Sequence, residues 1–156
     1  MVCLEVIRAR GHPNIRALHK TTMELTREHT LTLRGDCIIG VSANKAPVDF
    51  NEEFKNCIRQ DNAILIVVVK TPSQQEIILA HGDSHLMLTS DTRIILRKST
   101  HIDPGTIGVK ANKAASDLKR NLVEELKNPL TTIIVELYCL GLDEITSIYK
   151  HSGRVL

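Results

Sequence analysis

Three short stretches near the start of the chain bring together side chains that can do chemistry. They are Arg10-Gly11-His12-Pro13-Asn14-Ile15-Arg16, then His19-Lys20-Thr21-Thr22, then Arg34-Gly35-Asp36-Cys37. Forked guanidinium groups on Arg10, Arg16 and Arg34 suit a phosphate or a carboxylate. His12 and His19 can exchange protons near neutral pH or ligate a metal. Asp36 can orient a histidine or balance an arginine, and Asn14 and Thr21 add hydrogen-bonding groups. The ordinary alternative is a surface turn plus one core-facing histidine bonded to Thr or backbone. For any single residue that alternative weighs more. For the cluster as a whole the balance tips towards a site, because two Arg-Gly turns and a histidine on an apolar face lie within 30 residues.

Other candidates are weaker. Asn44-Lys45 and Asn112-Lys113 each lie between an expected strand and an expected helix. A helix N-terminus with a glycine upstream and a lysine beside it can hold a phosphate. Asp49 and Asp117 place the chain's own carboxylate there, however, which favours a structural role. His81-Gly82-Asp83-Ser84-His85 has the composition of half a metal site, with His81, Asp83 and His85 as weak candidate ligands, but a glycine turn spoils the alternation. Cys37 beside Asp36 is a poor nucleophile, since an adjacent carboxylate raises its pKa and no dedicated base is evident. No Walker, Gly-x-Ser-x-Gly or His-Glu-x-x-His pattern occurs.

The elements that must position these residues are organised by a repeat. Residues 38–46 read Ile-Ile-Gly-Val-Ser-Ala-Asn-Lys-Ala and residues 106–114 read Thr-Ile-Gly-Val-Lys-Ala-Asn-Lys-Ala, seven of nine identical at an offset of 68. The match runs without a gap through residues 70 and 138. It predicts one domain made of two units, about 1–70 and 76–140, plus a short tail 141–156. Each unit reads as β-β-β-α-β, giving an α+β fold of mainly antiparallel sheet with two helices and a pseudo-twofold axis. The expected strands are 2–9, 15–26, 37–43, 63–69, 76–80, 85–89, 93–97, 106–111 and 131–140. The segment 15–26 alternates with a period of two and puts Ile15, Ala17, His19 and Thr21 on one face. Pro47 opens the first helix, whose apolar stripe is Phe50, Phe54, Cys57 and Ile58, and Leu118, Leu122 and Leu126 form the second. The tail is expected to pack through Ile145, Ile148 and Tyr149.

Bulk composition excludes several classes. Hydrophobic residues are 42% and charged residues 24%, as in globular proteins, and a net charge of +2 does not demand a polyanion. The longest apolar run, Ala63–Val69, is too short to span a membrane. Four widely spaced cysteines without a Cys-x-x-Cys pair predict free thiols in a cytoplasmic setting. Glu5 and Arg8 argue against a signal peptide.

The three basic stretches, continued through Ile38-Ile39-Gly40-Val41, resemble over nearly the whole chain an archaeal family defined as a domain of unknown function, number 371 in that series. The resemblance implies a stand-alone cytoplasmic archaeal domain and brings no activity, cofactor or site residue with it. Three functional expectations follow from the residues. The first is a binding module for a phosphorylated small molecule or nucleotide at the Arg/His cluster. The second is an RNA-binding accessory protein using the basic first 35 residues, although aromatics at 3% leave few stacking platforms. The third is a metal-dependent or acid–base enzyme using His12, His19 and Asp36. Whether it is an enzyme, and its oligomeric state, are not legible.

Overall fold

A computed structural model describes residues 2–152. Eight strands form two four-stranded sheets. In the first, β1 (Val2–Arg10), β8 (Thr132–Leu140), β4 (Ile64–Lys70) and β5 (Gln75–His81) lie side by side in that order, all antiparallel. In the second, β2 (Thr22–Thr26) and β6 (Arg93–Arg97) are an antiparallel centre. β3 (Ile38–Gly40) and β7 (Thr106–Gly108) add to its two edges in parallel. Bridges Arg10–Val41 and His81–Val109 tie the sheets together. The class is therefore α+β with mainly antiparallel sheet, as the strand pattern predicts.

The core is aliphatic because the chain has no Trp and few other aromatics. Strand alternation sends Val67, Val69, Val135 and Leu137 inwards from the first sheet, where they face Met23 and Leu96 of the second. The gap left between them is a cavity of about 30 Å³, room for no more than a water or two. This gap between the sheets is therefore no ligand chamber. Helices α1 (Glu52–Ile58) and α2 (Arg120–Leu126) bury the expected stripes, with Phe54, Ile58, Leu122 and Leu126 fully enclosed. Phe50 meets Phe54 edge to face at 5.4 Å.

Neither helix starts where Pro47 suggests. A 3₁₀ turn, Pro47–Asp49 or Ala115–Asp117, comes first. Asp49 and Asp117 cap these turns, accepting from the Ala46 and Ala114 N–H groups at 3.0 and 2.8 Å. The backbone then extends at Phe50 and Leu118 before α1 and α2 begin. Asn51 caps α1 by accepting the Phe54 N–H at 2.7 Å.

Of the predicted strand 15–26 only the end forms, as β2, and the predicted strand 85–89 is a loop. Residues 15–21 and 85–89 keep the alternating burial, since Ile15, Ala17, Leu86 and Leu88 are all inside. Ala17 (φ 51°) and Leu88 (φ 55°) are left-handed, however, and that ends any strand. Past Ala17 the period breaks, so His19 and Thr21 face solvent rather than the core. Strands 37–43 and 106–111 shorten to β3 and β7 because Ser42 and Lys110 are left-handed too. The tail does form a helix, α3 (Leu142–His151), but it buries no residue, and Ile148 and Tyr149 are exposed rather than packed. No helix among the described residues is long and apolar enough to cross a membrane.

Candidate functional site

The repeated Asn-Lys pair has a clear structural task. Asn44 lies beside edge strand β1, where its Oδ1 accepts the Arg8 N–H at 2.9 Å and its own N–H donates to the Arg8 carbonyl. Asn112 does the same for Leu79 on edge strand β5. Lys45 then reaches Glu5 of β1 at 2.7 Å, and Lys113 reaches Glu76 of β5 at 2.9 Å. Both glutamates are buried, and a carboxylate leaves water only when paired and hydrogen-bonded. The pairing is completed by backbone N–H groups entering α1 and α2: Asn51 to Glu5 at 2.6 Å and Lys119 to Glu76 at 2.8 Å. Each lysine is thereby committed to a buried partner, and each edge strand is closed to further pairing towards its C-terminal end.

The Arg/His stretches assemble differently. Segment 14–19 is laced to segment 31–36. The Leu18 and His19 N–H groups both donate to the Asp36 carbonyl, at 3.0 and 3.2 Å, and Asn14 Nδ2 donates to the Leu31 carbonyl at 2.7 Å. Arg16 lies 3.8 Å from Asp36 Oδ1 and is half exposed. That carboxylate oxygen is enclosed yet has no hydrogen-bond partner. Lys20, Thr21 and Arg34, on the same two segments, are exposed. Arg120 of α2 braces the left-handed turn from below, donating to the Arg16 and Ala17 carbonyls at 3.4 and 3.2 Å. The backbone of the site is thus fixed while its cationic side chains remain in solvent.

Both histidines use Nδ1 as an acceptor. His19 takes the Thr21 and Thr22 N–H groups at 3.2 and 3.1 Å, and His12 takes the Asn14 N–H at 3.0 Å. Their ring protons then lie on Nε2. Arg10, on β1, pairs its backbone with Val41 and stands outside the laced loops. His12 sits at the end of α2, its N–H donating to the Leu126 carbonyl. The structure therefore brings Asn14, Arg16, His19, Lys20, Thr21, Arg34 and Asp36 into one region, and puts Asn44 and Lys45 to structural use elsewhere.

The His81/Asp83/His85 stretch does not form a ligand set. Asp83 is occupied by the His85 ring and backbone, at 2.9 and 2.8 Å, in a local turn. Among the described residues no three of His, Cys, Asp or Glu gather as metal ligands.

A second polar cluster was not legible in the sequence. Glu24, buried at the centre of β2, receives Arg93 in a two-pronged pair, Nε to Oε2 at 3.1 Å and Nη2 to Oε1 at 3.0 Å. Cys37 Sγ donates to Glu24 Oε1 at 3.6 Å. Burial, and then the Glu24 carboxylate, push the Cys37 thiol up to about 11. The carboxylate that silences this thiol is thus Glu24 and not its neighbour Asp36. Nearby Asp103 accepts from Arg97, Thr106 and the Gly105 N–H. Burial pushes its carboxyl up, but these donors outweigh it and hold it below the usual range. All four cysteines are free.

Comparison with known proteins places the chain in a family. It belongs to the family described as "Domain of unknown function (DUF371)", whose profile matches residues 7–140. It is also 43% identical, over 122 residues, to an uncharacterized protein of the archaeon Methanocaldococcus jannaschii, covering 78% of this chain and 90% of that one.

Proposed function

We propose that this member of a family without an assigned activity is a binding module for a phosphorylated small molecule or nucleotide, seated where segments 14–21 and 31–36 meet. One observation carries the reading. A second loop pair has the same backbone lacing without the charge: the Thr89 and Ser90 N–H groups both donate to the Pro104 carbonyl, at 3.1 and 3.0 Å. Segments 86–92 and 99–104 hold no Lys or Arg, whereas 15–21 and 31–36 hold Arg16, Lys20 and Arg34. The lacing alone therefore does not require the cations. Arg16 and Arg34 supply forked donors for an anion. Asp36 Oδ1 is enclosed and faces Arg16 at 3.8 Å, so its part is to hold that guanidinium in place rather than to meet the ligand.

The internal duplication belongs to the same reading. Matching bonds recur throughout: Arg27–Asp49 with Lys98–Asp117, and Glu5–Lys45 with Glu76–Lys113. We infer two copies of one unit about a pseudo-twofold axis, of which only the first has acquired the cations.

The test is calorimetric titration with adenosine monophosphate and with inorganic phosphate, preceded by an ultraviolet spectrum of salt-washed protein. Two tyrosines and no Trp leave the protein nearly transparent, so a retained nucleobase dominates. Binding lost in the Arg16→Ala, Arg34→Ala double variant supports the site. Binding that survives unchanged overturns it. Binding only to RNA, with a steep salt dependence, transfers the function to polyanion recognition.

A further inference from the structure

Three of the four cysteines lie together at one end of the first sheet. Cys3 of β1 and Cys139 of β8 stand directly opposite each other in the antiparallel register. Residues so opposed share a face of the sheet. On β8 that face is the inner one, where Ile133, Val135, Leu137 and Cys139 are all buried. Helix α1 packs on both strands and brings Cys57, itself buried, onto the pair. The Cys57 thiol meets the thiols of both Cys3 and Cys139. The three differ in access. Cys139 is fully enclosed, whereas Cys3 and Cys57 line an open cleft of about 280 Å³ with Glu53, Asn56, Gln60 and Gly141. Among the described residues the trio is not a metal-ligand set. As packing, a cysteine is a small hydrophobe. Thiols in contact at the wall of an open cleft add a chemistry that packing does not need.

We propose that Cys3 and Cys57 are a reversible dithiol–disulfide pair, oxidised through the cleft by a peroxide, with Cys139 a spectator beneath them. Cys3, the more exposed of the two, reacts first. Its thiolate attacks one peroxide oxygen, and the O–O bond breaks. The hydroxide that leaves takes up the thiol proton as water, and Cys3 becomes a sulfenic acid. Cys57, deprotonated in turn, attacks the Cys3 sulfur. The S–O bond breaks, the S–S bond forms and a second water leaves. Two thiols have lost two electrons, and one peroxide has been reduced to two waters. A dithiol reductant reverses the step by exchange. Burial, then Cys57 and Glu53, hold the Cys3 thiol above its ordinary value, so little thiolate is present at neutral pH and the pair closes slowly. The device is thus a slow oxidative clasp and not a fast sensor. Strand β1 begins at half-exposed Val2, so the Cys3 end has room to move into bonding distance. Once closed, the bridge ties β1 to α1 across a loop from residue 3 to residue 57 and constrains the unfolded chain.

The test is treatment of the reduced full-length chain with hydrogen peroxide at pH 8, followed by alkylation of the remaining thiols under denaturant and peptide mapping by mass spectrometry. The expected map shows a Cys3–Cys57 bridge, with Cys37 and Cys139 alkylated. The bridge raises the melting temperature by about 5–10 °C, and dithiothreitol returns it to its starting value. Cys139→Ser leaves the bridge intact. Cys57→Ser removes the resolving thiol, so the Cys3 sulfenic acid proceeds to sulfinic acid. Circular dichroism melting verifies that each variant folds, and Cys3→Ser, at the most accessible of the three positions, abolishes the bridge and replaces Cys57→Ser should that variant fail to fold. A wild-type chain that forms a Cys3–Cys139 or Cys57–Cys139 bridge overturns the proposal. So does a bridge between chains, or a Cys3 that stays a thiol or reaches sulfinic acid with no bridge formed. None of these outcomes depends on ligand binding at the Arg/His cluster.

Discussion

The loop pair 14–21/31–36 and the loop pair 86–92/99–104 share a backbone and differ in their side chains. Both are fastened by two consecutive N–H groups on one carbonyl, at Asp36 and at Pro104. Both turn through a buried left-handed residue, Ala17 or Leu88. Both are braced by a distant arginine, Arg120 at the start of α2 holding residues 16 and 17 and Arg59 just past α1 holding the Leu86 and Met87 carbonyls at 3.0 and 2.7 Å. One then displays Arg16, Lys20 and Arg34, and the other Thr89, Asp91 and Thr100. The difference separates what the fold needs from what it does not: lacing, turn and brace are scaffold, and the cations are an addition.

That contrast can be broken most directly by moving the charge. Replacing Arg16 and Arg34 with Ala is expected to weaken phosphate or nucleotide binding at least about tenfold, since each charge-assisted bond contributes ~1.5–3 kcal/mol. Replacing Thr89 and Thr100 with Ala is expected to leave binding unchanged in the same titration.

On the second sheet the two units proposed above would differ again, with Arg93 standing where the first has Thr22. Arg93→Ala strands the buried Glu24 carboxylate and is expected to cost about 3 kcal/mol in urea unfolding. Thr22→Ala, which strands no charge, is expected to cost under about 1 kcal/mol. Equal losses from the two would remove this asymmetry.

The Asn-Lys motif predicts symmetry instead. Asn44→Ala and Asn112→Ala each remove one side-chain bond to an edge strand. Each is expected to cost about 1 kcal/mol, with the two melts coinciding.

Smaller pH effects follow from the polar cluster. The Asp103 carboxyl is depressed, so its stabilisation is fully present above the ordinary carboxylate pKa, about 3.9, and is lost as pH falls through the lower folded value. Asp103→Asn should therefore flatten the acid limb of the stability profile. Cys37 is raised to about 11, so its contribution is present below the unfolded thiol pKa and is lost as pH rises towards 11. Mass-spectrometric alkylation rates at Cys37 should stay low at pH 8 and rise at lower pH in Glu24→Gln.

The sequence reveals the elements whose signals are local. β4 is an unbroken β-branched run, β8 alternates, and the repeat marks the Gly40 and Gly108 strands together with the Asn-Lys pairs that follow them. It misleads at 15–21, because buried Ile15 and Ala17 mimic a strand and a left-handed alanine leaves no mark in composition. The same holds for 85–89 at Leu88. The cationic stretches stood out, but their grouping depends on Asp36 folding back over residues 18 and 19. Glu5, Glu76 and Glu24 look like surface charges until the chain closes, since their partners lie far away in sequence, as Arg93 lies 69 residues beyond Glu24.

The pairing of β1 with β8 bears on how the chain is made. The register Ile7–Val135 joins strands more than a hundred residues apart in the chain. During synthesis at about 5–20 residues per second, β1 waits roughly ten seconds for its neighbour to be made. Throughout that interval it is a hydrophobic strand without a sheet, and Glu5, Arg8 and Arg10 are charges of the kind that discourage pairing between exposed strands. The same side chains thus have a use before the sheet closes as well as after it, when Glu5 is buried and Arg8 and Arg10 lie on the edge strand.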